Sequence, residues 1–224
     1  MTGLPVITAD GSHTLYVPEL KEHYHSTFGA INESMHVFIR EGFRKINDKT
    51  HDLHILETGF GTGLNAFLTL KEAESSKKIV FYTSLEPDPI SESTWSNLNY
   101  PDLVYSDDSR PVFNRLHCSA WNKEEDISLH FSLLKLRVKL ETVQLPVYKF
   151  DLVYHDAFGP EIQPELWTNK IFIKLFNSMV NGGILVTYSS KGSVRRAMKE
   201  AGFMVERLPG PAGKRHITRA NKII

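Results

Sequence analysis

The chain predicts an α/β fold, a mostly parallel sheet with helices on both faces and a C-terminal antiparallel hairpin. Three observations lead there. From residue 53 onward, short apolar runs alternate with stretches of helical periodicity, as in strands buried on both faces and joined by crossover helices. The first such run ends in an acid and then in glycines at alternate positions, Glu57-Thr58-Gly59-Phe60-Gly61-Thr62-Gly63-Leu64-Asn65, a tight strand-to-helix turn with a bare backbone. Near the C-terminus, Pro209-Gly210-Pro211-Ala212-Gly213 separates two β-like stretches, the signal of a hairpin rather than of another crossover.

The elements follow in order. Asp10-Gly11 marks a turn, and residues 14–17 read as a strand of an N-terminal hairpin. Between residues 24 and 43, Ile31, Met35, Phe38, Ile39 and Phe43 recur at helical spacing. Residues 1–50 are therefore expected to be an extension packed on a core of residues 51–224, the whole forming one structural unit. Residues 53–56 are the first core strand, 65–73 its helix, and 79–85 the second strand, ending at Glu86-Pro87. Residues 91–98 read as helix, and 100–126, with Asp107-Asp108, as a helix flanked by loops. The alternation Ile127, Leu129, Phe131, Leu133 predicts one strand that runs into a helix by residue 139. A strong strand covers 150–154, and a helix covers 166–179 with Asn181-Gly182-Gly183 as its stop signal. Residues 183–188 are a further strand, 193–201 a helix closed by Gly202, and 203–208 with 216–219 the closing hairpin.

Composition narrows the class. In 224 residues there is no apolar stretch long enough to span a membrane, and the N-terminus lacks the basic and apolar regions of a secretory signal. A single cysteine, Cys118, excludes an internal disulfide and a cysteine-rich zinc site, and reads as a buried or loop thiol. A cytoplasmic protein is expected. The ten histidines, His23, His25, His51 and His54 among them, lack a matching carboxylate pattern, so no metal is expected. The net charge of zero hides an asymmetry. Residues 188–224 carry nine basic side chains, Lys191, Arg195, Lys214 and Arg215 among them, against Glu200 and Glu206. A phosphate-rich partner needs such a face, and a merely solvated helix and hairpin would also show it.

The chemistry concentrates at the strand ends. Glu-x-Gly-x-Gly-x-Gly has neither the dinucleotide spacing nor the Gly-Lys-Ser/Thr of a P-loop. It resembles the first motif of Rossmann-like methyltransferases that use S-adenosylmethionine. Glu86, 23 residues beyond Gly63, is placed to accept hydrogen bonds from both hydroxyls of a ribose, a helix cap or loop acid being the plainer role. Asp156 ends its strand and precedes Ala157-Phe158-Gly159-Pro160. A carboxylate there is able to take a proton from an amine or to orient it, or simply to cap the turn, and spacing leaves these open. Methyl transfer asks the protein to desolvate and align an unprotonated nucleophile, and needs no metal.

Four stretches in this order carry a more specific resemblance. They are Glu57 to Asn65, His155-Asp156-Ala157-Phe158-Gly159-Pro160, Pro164-Glu165-Leu166-Trp167-Thr168 and Gly213-Lys214-Arg215-His216. The chain resembles the methyltransferase domain of the MnmC family, which completes 5-methylaminomethyl-2-thiouridine at the tRNA wobble position. The resemblance spans residues 10 to 220, and Trp167 belongs to a combination of motifs that generic methyltransferases lack. It implies a methyl transfer to the exocyclic amine of 5-aminomethyl-(2-thio)uridine, with S-adenosylmethionine held by Glu57, Gly59, Phe60, Gly61, Thr62, Gly63, Asn65 and Glu86. It makes Asp156 the acid that handles the amine, and turns Lys191, Arg195, Lys214 and Arg215 toward tRNA phosphates. Asn32-Glu33-Ser34 is expected to border the donor pocket. The resemblance also implies a functional partnership with the enzymes that install the aminomethyl group, and a stand-alone enzyme, since the chain leaves no room for the flavin-dependent domain of some members.

The chain departs from the family in two places. The Gly-Asp pair expected near the adenine is missing from Phe131-Ser132-Leu133-Leu134-Lys135, and His155-Asp156-Ala157 varies the usual apolar-Asp-Gly. A methyltransferase or aminopropyltransferase-like enzyme acting on a small amine, and a non-catalytic RNA-binding relative, are the competing readings.

Overall fold

The computed structural model describes residues 3–46, 52–104 and 109–223. The expected boundary at residues 50 and 51, His51, and Asp107 and Asp108 lie outside them. Strands β1 (Leu4–Ile7), β2 (His13–Val17) and β3 (Glu22–His23) form a small antiparallel sheet. Helix α1 (Ala30–Ser34) follows and continues as a π-helical turn over Met35–Arg40. The predicted helix thus begins only at Ala30. The turn between β1 and β2 supplies its missing cap: Asp10 accepts the Asn32 N–H (2.9 Å) and the Ser12 hydroxyl accepts that of Ala30 (3.2 Å). The wide π turn buries the three successive residues Val37, Phe38 and Ile39.

Then the core alternates: β4 (Asp52–Thr58), α2 (Leu64–Ser76), β5 (Ile79–Leu85), α3 (Glu92–Trp95), α4 (Tyr100–Leu103), α5 (Ser109–Cys118), β6 (Glu124–Ser128), β7 (Phe131–Leu136) and β8 (Phe150–His155). After a 3-10 turn at Pro164–Trp167 come α6 (Asn169–Ser178), β9 (Met179–Thr187), α7 (Gly192–Glu200), β10 (Met204–Pro209) and β11 (His216–Asn221). The eight-stranded sheet has the order β10-β11-β9-β8-β4-β5-β7-β6. Its five inner strands are parallel, and β11, β10 and β6 are antiparallel. Strand β4 lies between β5 and β8, so the order reverses there and a crevice opens beyond the strand ends. Side chains alternate across the sheet: Ile55, Leu152 and Tyr154 join the core with Phe38, Phe43 and Phe67, whereas Leu56 and Val153 meet Phe172, Leu175 and Met198. No helix among the described residues is long and apolar enough to cross a membrane.

Four expectations need correction. The apolar alternation at 127–133 spans two strands. Leu129 sits exposed in the turn between them, and Glu74 fixes that turn through Ser128 and His130 (Nδ1 to Oε2, 2.9 Å). No helix follows, because β7 runs to Leu136. Asn181-Gly182-Gly183 is no helix stop: α6 ends at Ser178, and the glycines form a bulge inside β9, between the pairs Phe150–Met179 and Leu152–Ile184. Residues 91–98 hold only the single turn α3, and Cys118 is the exposed last residue of α5.

Candidate active site

The crevice is a cavity of about 590 Å³ beyond the ends of β4, β5 and β8. The glycine turn makes its floor. Gly61 has φ +49°, and a Cβ there would lie 3.0 Å from the Tyr24 ring, so the turn favours glycine under that aromatic wall. Gly63 has φ +72° and sits against His117 Nε2, where a Cβ would come within 2.7 Å. Helix α2 starts directly after it, so its unpaired backbone N–H groups face the crevice.

Glu86, the first residue after β5, lines the cavity. Its carboxylate accepts the N–H of Gly61 (3.0 Å) and of Asp88 (2.9 Å), which ties the second strand end to the glycine turn. Burial nevertheless raises its pKa.

Asp156 closes β8 on the opposite wall. Its Oδ2 accepts a hydrogen bond from Asn65 Nδ2 (2.7 Å), and its backbone N–H donates to Thr58 Oγ1 (3.2 Å). Burial, reinforced by the charge of Glu33, pushes its pKa up to about 7, against the pull of Asn65 and Lys214. The residue before it explains how it is aimed. Burial holds His155 neutral, at about 4, so one ring nitrogen donates and the other accepts. Nε2 donates to the Leu166 carbonyl (3.1 Å), and Nδ1 accepts from the Thr58 hydroxyl (3.0 Å), which leaves that oxygen free to receive the Asp156 N–H. The loop after Asp156 is held from above. Tyr188 OH donates to the Ala157 carbonyl (2.9 Å) and Trp167 Nε1 to that of Phe158 (2.8 Å). This accounts for Trp167 within its motif.

The third wall comes from far away in sequence. Residues Glu22 to Ser26 run along the cavity and are followed by Glu33, which is buried. Glu33 accepts the Ser26 N–H (2.8 Å) and forms an ion pair with Lys214, whose Nζ also lies 3.9 Å from the centre of the Tyr188 ring. Buried His25 contacts Thr62 Oγ1 through Nε2 (2.9 Å), joining this wall to the glycine turn.

Of the stretch expected to border the donor pocket, Glu33 lines this one cavity and Asn32 and Ser34 do not. Of the residues expected to touch donor, amine or phosphate, ten line it: Gly59, Phe60, Gly61, Thr62, Asn65, Glu86, Asp156, Lys191, Lys214 and Arg215. Three do not. Glu57 is fully buried behind the floor, where Oε2 accepts from the Ser84 hydroxyl (2.7 Å). Gly63 lies under His117, and Arg195 stands outside the lining, with Nε donating to the Ser190 carbonyl (3.3 Å). Lys214 points inward to Glu33 rather than out to solvent, and Lys191 pairs with Glu161. Tyr24, His25, Tyr188 and Glu141 also line it, outside the expected set. Glu141 is an acid on the cavity wall in the loop after β7, six residues beyond the stretch 131–135 that lacks the expected one.

The residues fit S-adenosylmethionine. A bare glycine backbone and a helix start suit a carboxylate, Glu86 suits a ribose, and Asn65 Oδ1 is a buried acceptor with no protein partner, ready for a donor such as an ammonium group.

A family model described as S-adenosyl-L-methionine-dependent methyltransferase matches residues 111–223. The chain is 29% identical, over 96% of its length and 33% of the relative's, to the tRNA 5-methylaminomethyl-2-thiouridine biosynthesis bifunctional protein MnmC of Cupriavidus metallidurans. It thus spans about a third of the length of such curated relatives. The crystal structure of MNMC2 from Aquifex aeolicus superposes with a TM-score of 0.81 at 30% identity, covering 98% of this chain and 70% of that one. Spermidine synthase from Thermotoga maritima, at 13% identity and a TM-score of 0.57 over 94% of this chain and 69% of its own, shares the fold alone.

Proposed function

The chain belongs to the S-adenosyl-L-methionine-dependent methyltransferases, and from that premise we propose that it methylates the exocyclic amine of 5-aminomethyl-(2-thio)uridine at the wobble position of tRNA. One observation carries the choice of an amine: a buried carboxylate, Asp156, held close to neutral pH at about 7 on the wall that faces the glycine turn. Its Oδ2 is occupied by Asn65, and Oδ1 takes the amine proton. Such an acid loses a proton readily at physiological pH and still accepts one from an ammonium group. Tyr188 and Trp167 keep the Ala157-Phe158 turn, and with it the carboxylate, in place.

S-adenosylmethionine supplies a methyl carbon already activated on a sulfonium. Gly59, Phe60, Gly61, Thr62 and Asn65 would hold its methionine part, and Glu86 its ribose, while the wall at Val138, Leu140 and Glu141 borders the space left for adenine. Glu57 and Gly63 act from behind by shaping the turn. Arg195 and Arg215 offer cations to the RNA backbone, and a cytoplasmic setting alongside the enzymes that install the aminomethyl group follows from that substrate.

The test is transfer of radiolabelled methyl from S-adenosylmethionine to tRNA from cells lacking this protein, followed by nucleoside analysis. Label in 5-methylaminomethyl-(2-thio)uridine is expected. Donor binding with label appearing only in added polyamines would overturn the substrate assignment.

A further inference from the structure

The cavity explains the inward lysine but leaves unexplained an exposed aromatic two residues beyond its wall. Phe28 is 57% exposed. It follows the wall residue Ser26, whose hydroxyl accepts the Phe28 N–H (3.2 Å), and Thr27 is pinned through its carbonyl by the N–H of Ala9 (2.9 Å). The ring therefore stands on fixed backbone. Its inner face lies against Gly213, where φ is +81° and any Cβ would overlap the ring. The glycine of the basic turn thus makes room for this aromatic, and the next residues, Lys214 and Arg215, are cavity wall.

Among the described residues Arg215 has no acidic partner, and it lines the rim beside His216. Arg195 and Arg207 belong to the same basic C-terminal segment, and neither has an acidic partner among the described residues. A lone exposed apolar side chain is ordinary. A rigid aromatic, seated on the glycine that leads into a cavity wall with an arginine that has no acidic partner, is the arrangement that binds unpaired nucleic acid, with bases on the ring and phosphates on the cations.

We propose that Phe28 is a stacking platform for an unpaired nucleobase next to the nucleotide held in the cavity, with Arg215 and Arg195 on the flanking phosphates. This rests on the tRNA reading. Its content is that the acceptor enters from a single-stranded loop, and that one neighbouring base is held outside while the target amine reaches Asp156.

The experiment uses the full chain and an RNA stem-loop carrying 5-aminomethyluridine in its loop. Binding is followed by fluorescence anisotropy at fixed salt, and methylation by nucleoside analysis. Phe28→Leu is expected to weaken RNA binding about tenfold, ~1.4 kcal/mol, with donor binding unchanged, while Phe28→Trp retains it. For the wild type, removing the bases on either side of the target one at a time should reproduce the tenfold loss at one position, and there Phe28→Leu should add nothing. If the RNA is methylated but neither Phe28→Leu nor any abasic position weakens binding, the platform is overturned and the substrate assignment stands. If the wild type neither binds nor methylates the RNA, the substrate assignment fails and takes the platform with it. The abasic arm needs no protein variant, so a poorly folding Phe28→Leu does not spoil the test.

Discussion

On the proposed function the cavity has a donor half and an acceptor half, and the two are built on different principles. The donor half is local: nine consecutive residues, Glu57 to Asn65, make floor, turn and helix start, and their backbone does most of the work. The acceptor half is assembled from Tyr24, Glu33, Asp156, Tyr188 and Lys214, which meet only after the sheet has formed. The first half is set by φ angles, and the second by buried charges and hydrogen bonds. Substitutions should therefore fail differently in each, donor affinity falling in one case and turnover or its pH dependence changing in the other.

The largest effect is expected at Asp156. Asp156→Asn should lower kcat by about 10²- to 10⁴-fold, the usual contribution of a positioned acid or base, and leave the Kd for S-adenosylmethionine within a few-fold. Parallel steady-state kinetics and donor titration check this. Turnover within threefold of wild type would remove Asp156 from the chemistry and erase the contrast between the halves.

Gly61→Ala probes the other half. The added Cβ meets the Tyr24 ring and forces alanine into the left-handed region, which costs about 1–2 kcal/mol. Donor Kd should rise by roughly tenfold, with the acid limb of the pH profile unmoved. An unchanged Kd would mean that the turn does not carry the donor.

The acid limb itself sharpens the comparison. Asp156 must be ionised to accept a proton, so activity should climb as pH rises through about 7. Glu33 raises that value and Lys214 lowers it. Glu33→Gln should accordingly move the limb to lower pH and Lys214→Met to higher pH, each by a fraction of a unit. Opposite signs from two partners of one ion pair are hard to obtain from a general loss of stability. Shifts in the same direction would show that the pair acts only as structure.

This division also decides what could be read from the sequence. The strands β5 and β8, the glycine turn, Glu86 and Asp156 were legible because their signals lie within a few neighbouring residues. The reading failed where a tertiary contact overrode a local pattern. The alternation at 127–133 hides a turn that Glu74 stabilises from another helix, and the glycines at 182 and 183 look like a helix end because nothing nearby announces a bulge in a strand. Lys214 was expected on the surface with the other basic residues, and only Glu33, far off in sequence, draws it inward. Tyr24 and His25 gave no signal, since a two-residue strand places them.

The smallest effect concerns Glu57, which belongs to the donor motif in sequence yet behaves like the acceptor half in its electrostatics. It is fully buried, with the side chains of Tyr82 and Asn65 near its carboxyl group. Burial raises its pKa from 4.5 to about 8, with Asp156 adding to the rise and the Ser84 hydroxyl opposing it. At neutral pH the folded protein therefore carries Glu57 as the uncharged acid, whereas the unfolded chain has already lost that proton. The native state binds more protons than the unfolded one between pH 4.5 and about 8, so stability must fall as pH rises across that window. Asp156, raised to about 7, contributes in the same direction. Glu57→Gln keeps the shape and removes the titration. Its Tm should exceed that of the wild type by a few degrees at pH 8 and converge with it near pH 5. Scanning calorimetry across that range decides the matter: a constant offset would mean that Glu57 stays ionised in the folded protein, and that the floor of the donor half is held by a charge rather than by a neutral hydrogen-bonding group.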